Sequence, residues 1–301
     1  MLLPLGGSTV IDRILEALDR EPRIEDVYIS TNERFTADFR AHLGERSLEK
    51  PRLSVESTRA EEEKLGVVGA LQELIEREQI DEDLLVVAGD NLFDFDIGDF
   101  LDAFDRRETP TIATYDVGTR ERAQPFGVVA VDGDRVVDFA EKPDEPAGSL
   151  VSIGCYAFPS ETLPTVSRYL TAGHERDEIG WFIKWMQDEE PTHAFAHTGS
   201  WFDIGTRASY LDAVQWTLGG SAHVSPSASV SETTIGSNVQ VYDEADLVGV
   251  TLESAVIFPS VRLRDTTVRN SVIDEHASLG GIVLEDGMVG AYTSIPAVTD
   301  S

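Results

Sequence analysis

Four short stretches hold residue types suited to handling a charged ligand. DLLVVAGDN sets Gly89, Asp90 and Asn91 at the end of an apolar run, residues 83–90, that reads as a buried strand. Open α/β sheets bind ligands at the carboxyl ends of their strands. A carboxylate there can hold Mg²⁺, an ion bound by one or two carboxylates together with substrate phosphate oxygens; the competing reading is a helix or turn cap. Glu141-Lys142-Pro143 offers a carboxylate beside one of only four lysines, Lys50, Lys64, Lys142 and Lys184. In a chain that otherwise uses arginine, that lysine is either a compact charge for a phosphate or a solvated surface charge. Trp201-Phe202-Asp203-Ile204-Gly205-Thr206 places a carboxylate among apolar residues just before a helix starting near Arg207, as a cap or a metal ligand. In Glu63-Lys64-Leu65-Gly66-Val67-Val68-Gly69-Ala70-Leu71, Gly66 and Gly69 open a helix where a flat group can approach the backbone.

The elements that position these stretches follow from hydrophobic periodicity. Residues 26–31, 51–57, 83–90 and 110–117 read as strands, and 8–20, 32–43, 66–78 and 96–107 as helices, the first capped by Ser8. Such alternation predicts an α/β fold with a Rossmann-like, mostly parallel sheet covered by helices on both faces. From 126 to 159 the texture becomes that of an antiparallel insert, with Asp132-Gly133 as a hairpin turn. Helices return at 160–172, 177–189 and 207–218, with a strand at HAFAH between the last two, and Gly219-Gly220 ends the last helix. Beyond it, aliphatic residues recur at 224, 230, 235, 241, 247, 252, 257, 263, 268, 273 and 279, in steps of five or six. This imperfect hexapeptide repeat predicts a parallel β-helix of about four coils. The expected domains are therefore residues 1–219 and 220–301.

Composition narrows the class further. The net charge is −31, spread along the chain. Molar salt shortens the Debye length to about 3 Å and removes most carboxylate repulsion, so the acidity reads as adaptation to a salt-rich cytoplasm. Nucleic-acid binding is not expected, because no basic stripe is present to neutralise phosphates. No uncharged apolar run is long enough for a membrane span, and no basic residue precedes the first leucines as in a signal peptide. The single cysteine, Cys155, lies in the apolar run SLVSIGCYAF and reads as a buried structural thiol.

In order and spacing together, these motifs resemble the sugar-1-phosphate nucleotidyltransferases, in particular their glucose-1-phosphate thymidylyltransferase and uridylyltransferase branch. The matching segments are LLPLGG and its helix (3–18), the glycine loop (63–71), the GDN turn (88–91), FGVV (126–129), EKP (141–143) and WFDIGT (201–206). The resemblance implies a nucleotidyltransferase domain followed by a left-handed β-helix, and an oligomer. Its substrates would be a nucleoside triphosphate, dTTP or UTP, and a sugar 1-phosphate, glucose 1-phosphate being favoured. Asp90 and Asp203 correspond to the aspartates that bind Mg²⁺, Gly66 and Gly69 to the loop packing on the base, Gly89 and Asn91 to the GDN turn, Gly127 and Glu141 to the groups holding the sugar, and Lys142 to the lysine on its phosphate. In that family a strand and a Gly-rich triphosphate loop precede LLPLGG, so roughly twenty further residues are expected ahead of Met1. Two alternatives remain: a binding or regulatory subunit without turnover, and an acyltransferase using His276, the one histidine well inside the repeat.

Overall fold

Along the chain, apolar strands and amphipathic helices alternate in a computed structural model that describes residues 2–56 and 65–296. A short ribbon of β1 (Pro4–Leu5) and β2 (Ser8–Thr9) precedes α1 (Val10–Arg20), β3 (Val27–Asn32), α2 (Thr36–Gly44) and β4 (Pro51–Glu56). Next come α3 (Val67–Glu78), β5 (Leu84–Val87), β6 (Asn91–Phe93), α4 (Ile97–Asp105), β7 (Thr111–Asp116) and α5 (Arg120–Ala123). The hairpin of β8 (Gly127–Asp132) and β9 (Arg135–Glu141) leads to β10 (Leu150–Phe158), α6 (Pro164–Thr171) and α7 (Ile179–Glu189). β11 (His193–His197), β12 (Trp201–Asp203) and α8 (Arg207–Leu218) complete the α/β part. Two compact units result: residues 11–201, and the residues up to Val10 together with those from Phe202 onward.

The unit 11–201 is built on a six-stranded mixed sheet in the order β5-β10-β7-β11-β9-β8, with β3 and β4 as a separate parallel pair. β11 runs parallel to β7, and β10 lies antiparallel between β5 and β7, so β5, β7 and β11 share one direction. Helices α3, α6 and α7 cover one face: Leu71, Val166, Tyr169, Phe182, Ile183 and Met186 join Ile112, Val129, Phe139 and Phe158 in one buried cluster. Alternation along β11 sends Ala194 toward that cluster and Phe195 to the other face, where its ring meets Phe100 of α4 at 5.6 Å. Cys155 is fully buried, and burial pushes its thiol well above the ordinary range, as befits an inert structural residue. The expected hairpin turn forms: Asp132 pairs with Arg135, and Gly133 takes a φ of +66° that a side chain would strain.

One expectation fails locally. Ser8 does not cap α1; it belongs to β2, and its hydroxyl donates to the Leu5 carbonyl at 3.1 Å. The chain folds back through Gly6-Gly7, and the helix starts two residues later, the Val10 amide donating to the Leu3 carbonyl at 3.0 Å. In the second unit the leading segment is fixed by Tyr210 of α8, whose hydroxyl donates to the Pro4 carbonyl at 2.5 Å, and by Gln240, which accepts from the Gly6 amide.

After Gly219 closes α8 in the left-handed conformation, short parallel strands stack into the coils of a β-helix. Three internal ladders carry the predicted aliphatic positions. Val224, Val241, Ile257, Ile273 and Val289 form one, and Val230, Leu247, Leu263, Leu279 and Ile295 the second. Ile235, Leu252, Val268 and Leu284 form the third. From Val241 onward partners recur every 16 residues, shorter than three full hexapeptides, which accounts for the mixture of five- and six-residue steps. His276 sits at a corner with φ +57°, in the same left-handed conformation as Glu244, Ser260 and Tyr292, and its ring stacks on Tyr292 at 4.9 Å. Leu247 is fully buried between coils. Leu247→Ala is expected to cost about 2–5 kcal/mol, read as a lowered midpoint in urea denaturation.

Candidate active site

The end of β5 is shaped by its neighbour β10: Val87 pairs with Cys155, and the Ala88 amide donates to the Gly154 carbonyl at 2.7 Å. The chain then turns through Gly89, leaving Asp90 exposed while Asn91 is buried. Asn91 takes an indole proton from Trp201 Nε1 at 2.6 Å and donates through Nδ2 to Asp90 Oδ1 at 2.9 Å. A partly buried indole thus orients an amide, and the amide orients an exposed carboxylate. Trp201 is itself held edgewise against Phe126 at 5.0 Å. Asp90 caps no helix, since the N-cap of α4 is Asp96, accepting from the Gly98 amide at 2.6 Å.

The end of β9 carries the other candidate groups. Gly127 pairs with Glu141, and the Lys142 amide donates to the Phe126 carbonyl at 3.1 Å. Lys142 has φ +42° and pairs through Nζ with Glu178 Oε1 at 2.5 Å, both side chains about half exposed, 48% and 46%. The Glu141 carboxylate takes no hydrogen bond from the described residues. Its burial and the negative charge of Glu178 raise its pKa, against the opposing pull of Lys142. A carboxyl with a raised folded pKa carries no folding penalty below its unfolded pKa, and the penalty appears as pH rises through the folded value. Glu141→Gln is therefore expected to raise the Tm at pH 7 and to leave it unchanged near pH 3, in paired thermal melts.

The glycine loop lies against the segment that leads into α7. Gly66 has φ +73°, and a Cβ there would fall 2.4 Å from the Arg176 carbonyl oxygen, which also accepts from the Val68 amide at 3.0 Å. Val68 is buried in the helical core, whereas Val67 is half exposed and Gly69 faces Leu65. Glu63 and Lys64, the start of this motif, lie outside the described residues. Asp203 is partly buried on β12 and belongs to the other unit. Its cap reading falls, because Thr206 caps α8 in a capping box with Ser209.

Sequence patterns alone did not single out Arg176, Glu178 and Gly180, which the fold brings beside Gly66, Lys142 and Glu141. The available signal was Asp177-Glu178-Ile179-Gly180 opening a predicted helix, where an acidic residue reads simply as a favourable helix start. Among the described residues, no three His, Cys, Asp or Glu side chains gather as a metal cage. The exposed Asp90 carboxylate is a hard oxygen donor with lone pairs left over from the Asn91 bond, which suits a magnesium ion completed by substrate oxygens.

An α/β sheet with a carboxylate at a strand end, and a glutamate-lysine pair at the end of a hairpin, offers groups suited to a phosphorylated ligand. Residues 1–218 match the model of the nucleotidyl transferase family, and the chain belongs to that family. It is 28% identical over 211 residues to the "Putative mannose-1-phosphate guanyltransferase" of Sulfolobus acidocaldarius, covering 70% of this chain and 55% of that protein. It is 23% identical over 223 residues to the "Bifunctional protein GlmU" of Methanocaldococcus jannaschii, covering 72% and 48%. The chain thus spans about half the length of these curated relatives. Among solved structures, a "Putative Glucose-1-Phosphate Thymidylyltransferase" from Bacillus anthracis shares the fold, with a TM-score of 0.59 and 24% identity over 70% of this chain and 83% of that one.

Proposed function

We propose that this protein forms a nucleotide sugar and pyrophosphate from a sugar 1-phosphate and a nucleoside triphosphate, with glucose 1-phosphate and dTTP or UTP as the favoured substrates. One observation carries this reading. The Glu141 carboxylate, half-buried and without a donor among the described residues, stands next to the Lys142 ammonium, an acceptor for sugar hydroxyls beside a cation for the sugar's phosphate. The sugar phosphate oxygen attacks the α-phosphorus in line, and the bond to the β-phosphate oxygen breaks. The nucleophile is already an anion, so no general base is required; alignment and charge neutralisation do the catalytic work. Bound Mg²⁺ would neutralise charge on the reacting phosphates, with Asp90 as its ligand. The same role for Asp203 rests on its sequence match alone. Asn91 acts through Asp90, and the nucleotide contacts of Gly66, Gly69 and Gly89 rest, like that of Asp203, on their sequence match alone.

Residues 1–219 would form the catalytic part and residues 220–301 a separate β-helix, the protein working as a homo-oligomer in a salt-rich cytoplasm. No helix of the described residues is long and apolar enough to cross a membrane. The dense negative charge gives a direct test: Tm should rise by on the order of 10 °C between 0.1 M and 3 M KCl, as screening shortens the reach of carboxylate repulsion. A flat or falling Tm would remove the salt adaptation. For the function itself, calorimetric titration of the full protein with glucose 1-phosphate tests the sugar site. Binding that is lost in Glu141→Ala supports it, and equal binding by both proteins refutes it. Binding without pyrophosphate release would instead mark a regulatory subunit.

A further inference from the structure

A missing side chain on the first turn of α7 controls where the Glu141 carboxylate can lie. A Cβ built on Gly180 would fall 1.7 Å from Glu141 Oε2, 2.4 Å from its Cδ and 3.1 Å from Oε1. A Cβ on Gly127 would likewise fall 2.9 Å from the same Oε2 and 2.4 Å from Phe139 Cζ. The carboxylate therefore occupies a slot walled by two glycine backbones. Neither wall can readily retreat. Gly180 is buried, and Phe182, Ile183 and Met186 of the same helix are fully buried in the core; Gly127 is locked into the β8–β9 ladder opposite Glu141 itself.

The backbone gives no reason for this glycine. Gly180 is absent from the positive-φ residues and lies inside a helix, where glycine is less favourable than alanine by about 0.5–1 kcal/mol. We propose that Gly180 is a positioning residue for sugar recognition: its lack of a side chain holds open the slot in which Glu141 meets the sugar hydroxyls. The inference rests on the reading of Glu141 given above. An alanine methyl would drive the carboxylate out of the slot while leaving Lys142 and its backbone in place.

The test is calorimetric binding of glucose 1-phosphate and of inorganic phosphate to the full protein and to three variants. Gly180→Ala should weaken glucose 1-phosphate about tenfold, the loss of roughly one hydrogen bond to a charged group, and leave inorganic phosphate unchanged. In the Glu141→Ala background the same substitution should have no further effect. If Gly180→Ala binds glucose 1-phosphate normally while Glu141→Ala does not, the positioning role is wrong and the sugar reading stands. If neither variant is impaired, the reading of Glu141 falls with it. Should Gly180→Ala fail to fold, the Glu141→Ala/Gly180→Ala protein decides: folding with a Tm at or above that of Glu141→Ala supports the slot, and failure to fold shows that the glycine serves packing.

Discussion

Asp90→Asn is expected to lower the rate of pyrophosphate release by about 10²–10³-fold with the fold intact. The side chain is exposed and accepts one hydrogen bond from the described residues, that of Asn91 Nδ2. An asparagine oxygen can accept the same bond, so stability should change by no more than about 0.5 kcal/mol, the ordinary range for a surface substitution. What is lost is a formal negative charge at the point where a hard cation would be held. A neutral amide is a weak ligand for Mg²⁺, and removing one fixed charge-stabilising group in an active site is worth about 10²–10³ in rate. Steady-state kinetics at saturating Mg²⁺ checks it; activity within tenfold of the parent protein would remove Asp90 from the mechanism.

Lys142→Met should weaken glucose 1-phosphate by about 10–100-fold, the value of a hydrogen bond to a charged group, and leave triphosphate affinity unaltered. Methionine keeps the unbranched apolar stem, one atom shorter, and removes the ammonium with its charge and its donors. The pair with Glu178 is half exposed, so its loss should hardly move the Tm. The Glu178 carboxylate, however, is left facing the incoming phosphate without its cation. Lys142→Met/Glu178→Gln should accordingly recover part of the affinity. Lys142→Arg is not a conservative control, because a planar guanidinium cannot take the place of a compact ammonium held at 2.5 Å from its partner. Equal loss of both substrates would mean that Lys142 supports the fold of the site and does not contact the sugar phosphate.

Much of this architecture was legible because it is written in local patterns. The helical spacing of Ile11, Ile14, Leu15 and Leu18, the apolar run before Gly89 and the five-to-six-residue rhythm after Val224 each mark an element whose buried face is set by residues close in sequence. Ser8 misled because its fate depends on where Gly6-Gly7 returns the chain, and the ribbon with Pro4–Leu5 claims it before the helix begins. Asp90, Glu141 and Lys142 could be picked out as chemistry-bearing groups, since they end strands. Their supports could not. Trp201 reaches Asn91 across 110 positions, Glu178 reaches Lys142 across 36, and no period links such residues. Gly180 was least visible of all: it reads as a weak helix residue until Glu141 is placed beside it.

Nucleotidyl transfer is read directly as pyrophosphate release by the protein purified from the cells that make it. Glucose 1-phosphate and either dTTP or UTP would be supplied with Mg²⁺ in molar KCl. Pyrophosphate should form in equal amount to nucleotide sugar, dependent on the sugar phosphate and abolished by chelating the metal. Tight binding of glucose 1-phosphate with no pyrophosphate from any nucleoside triphosphate would contradict nucleotidyl transfer.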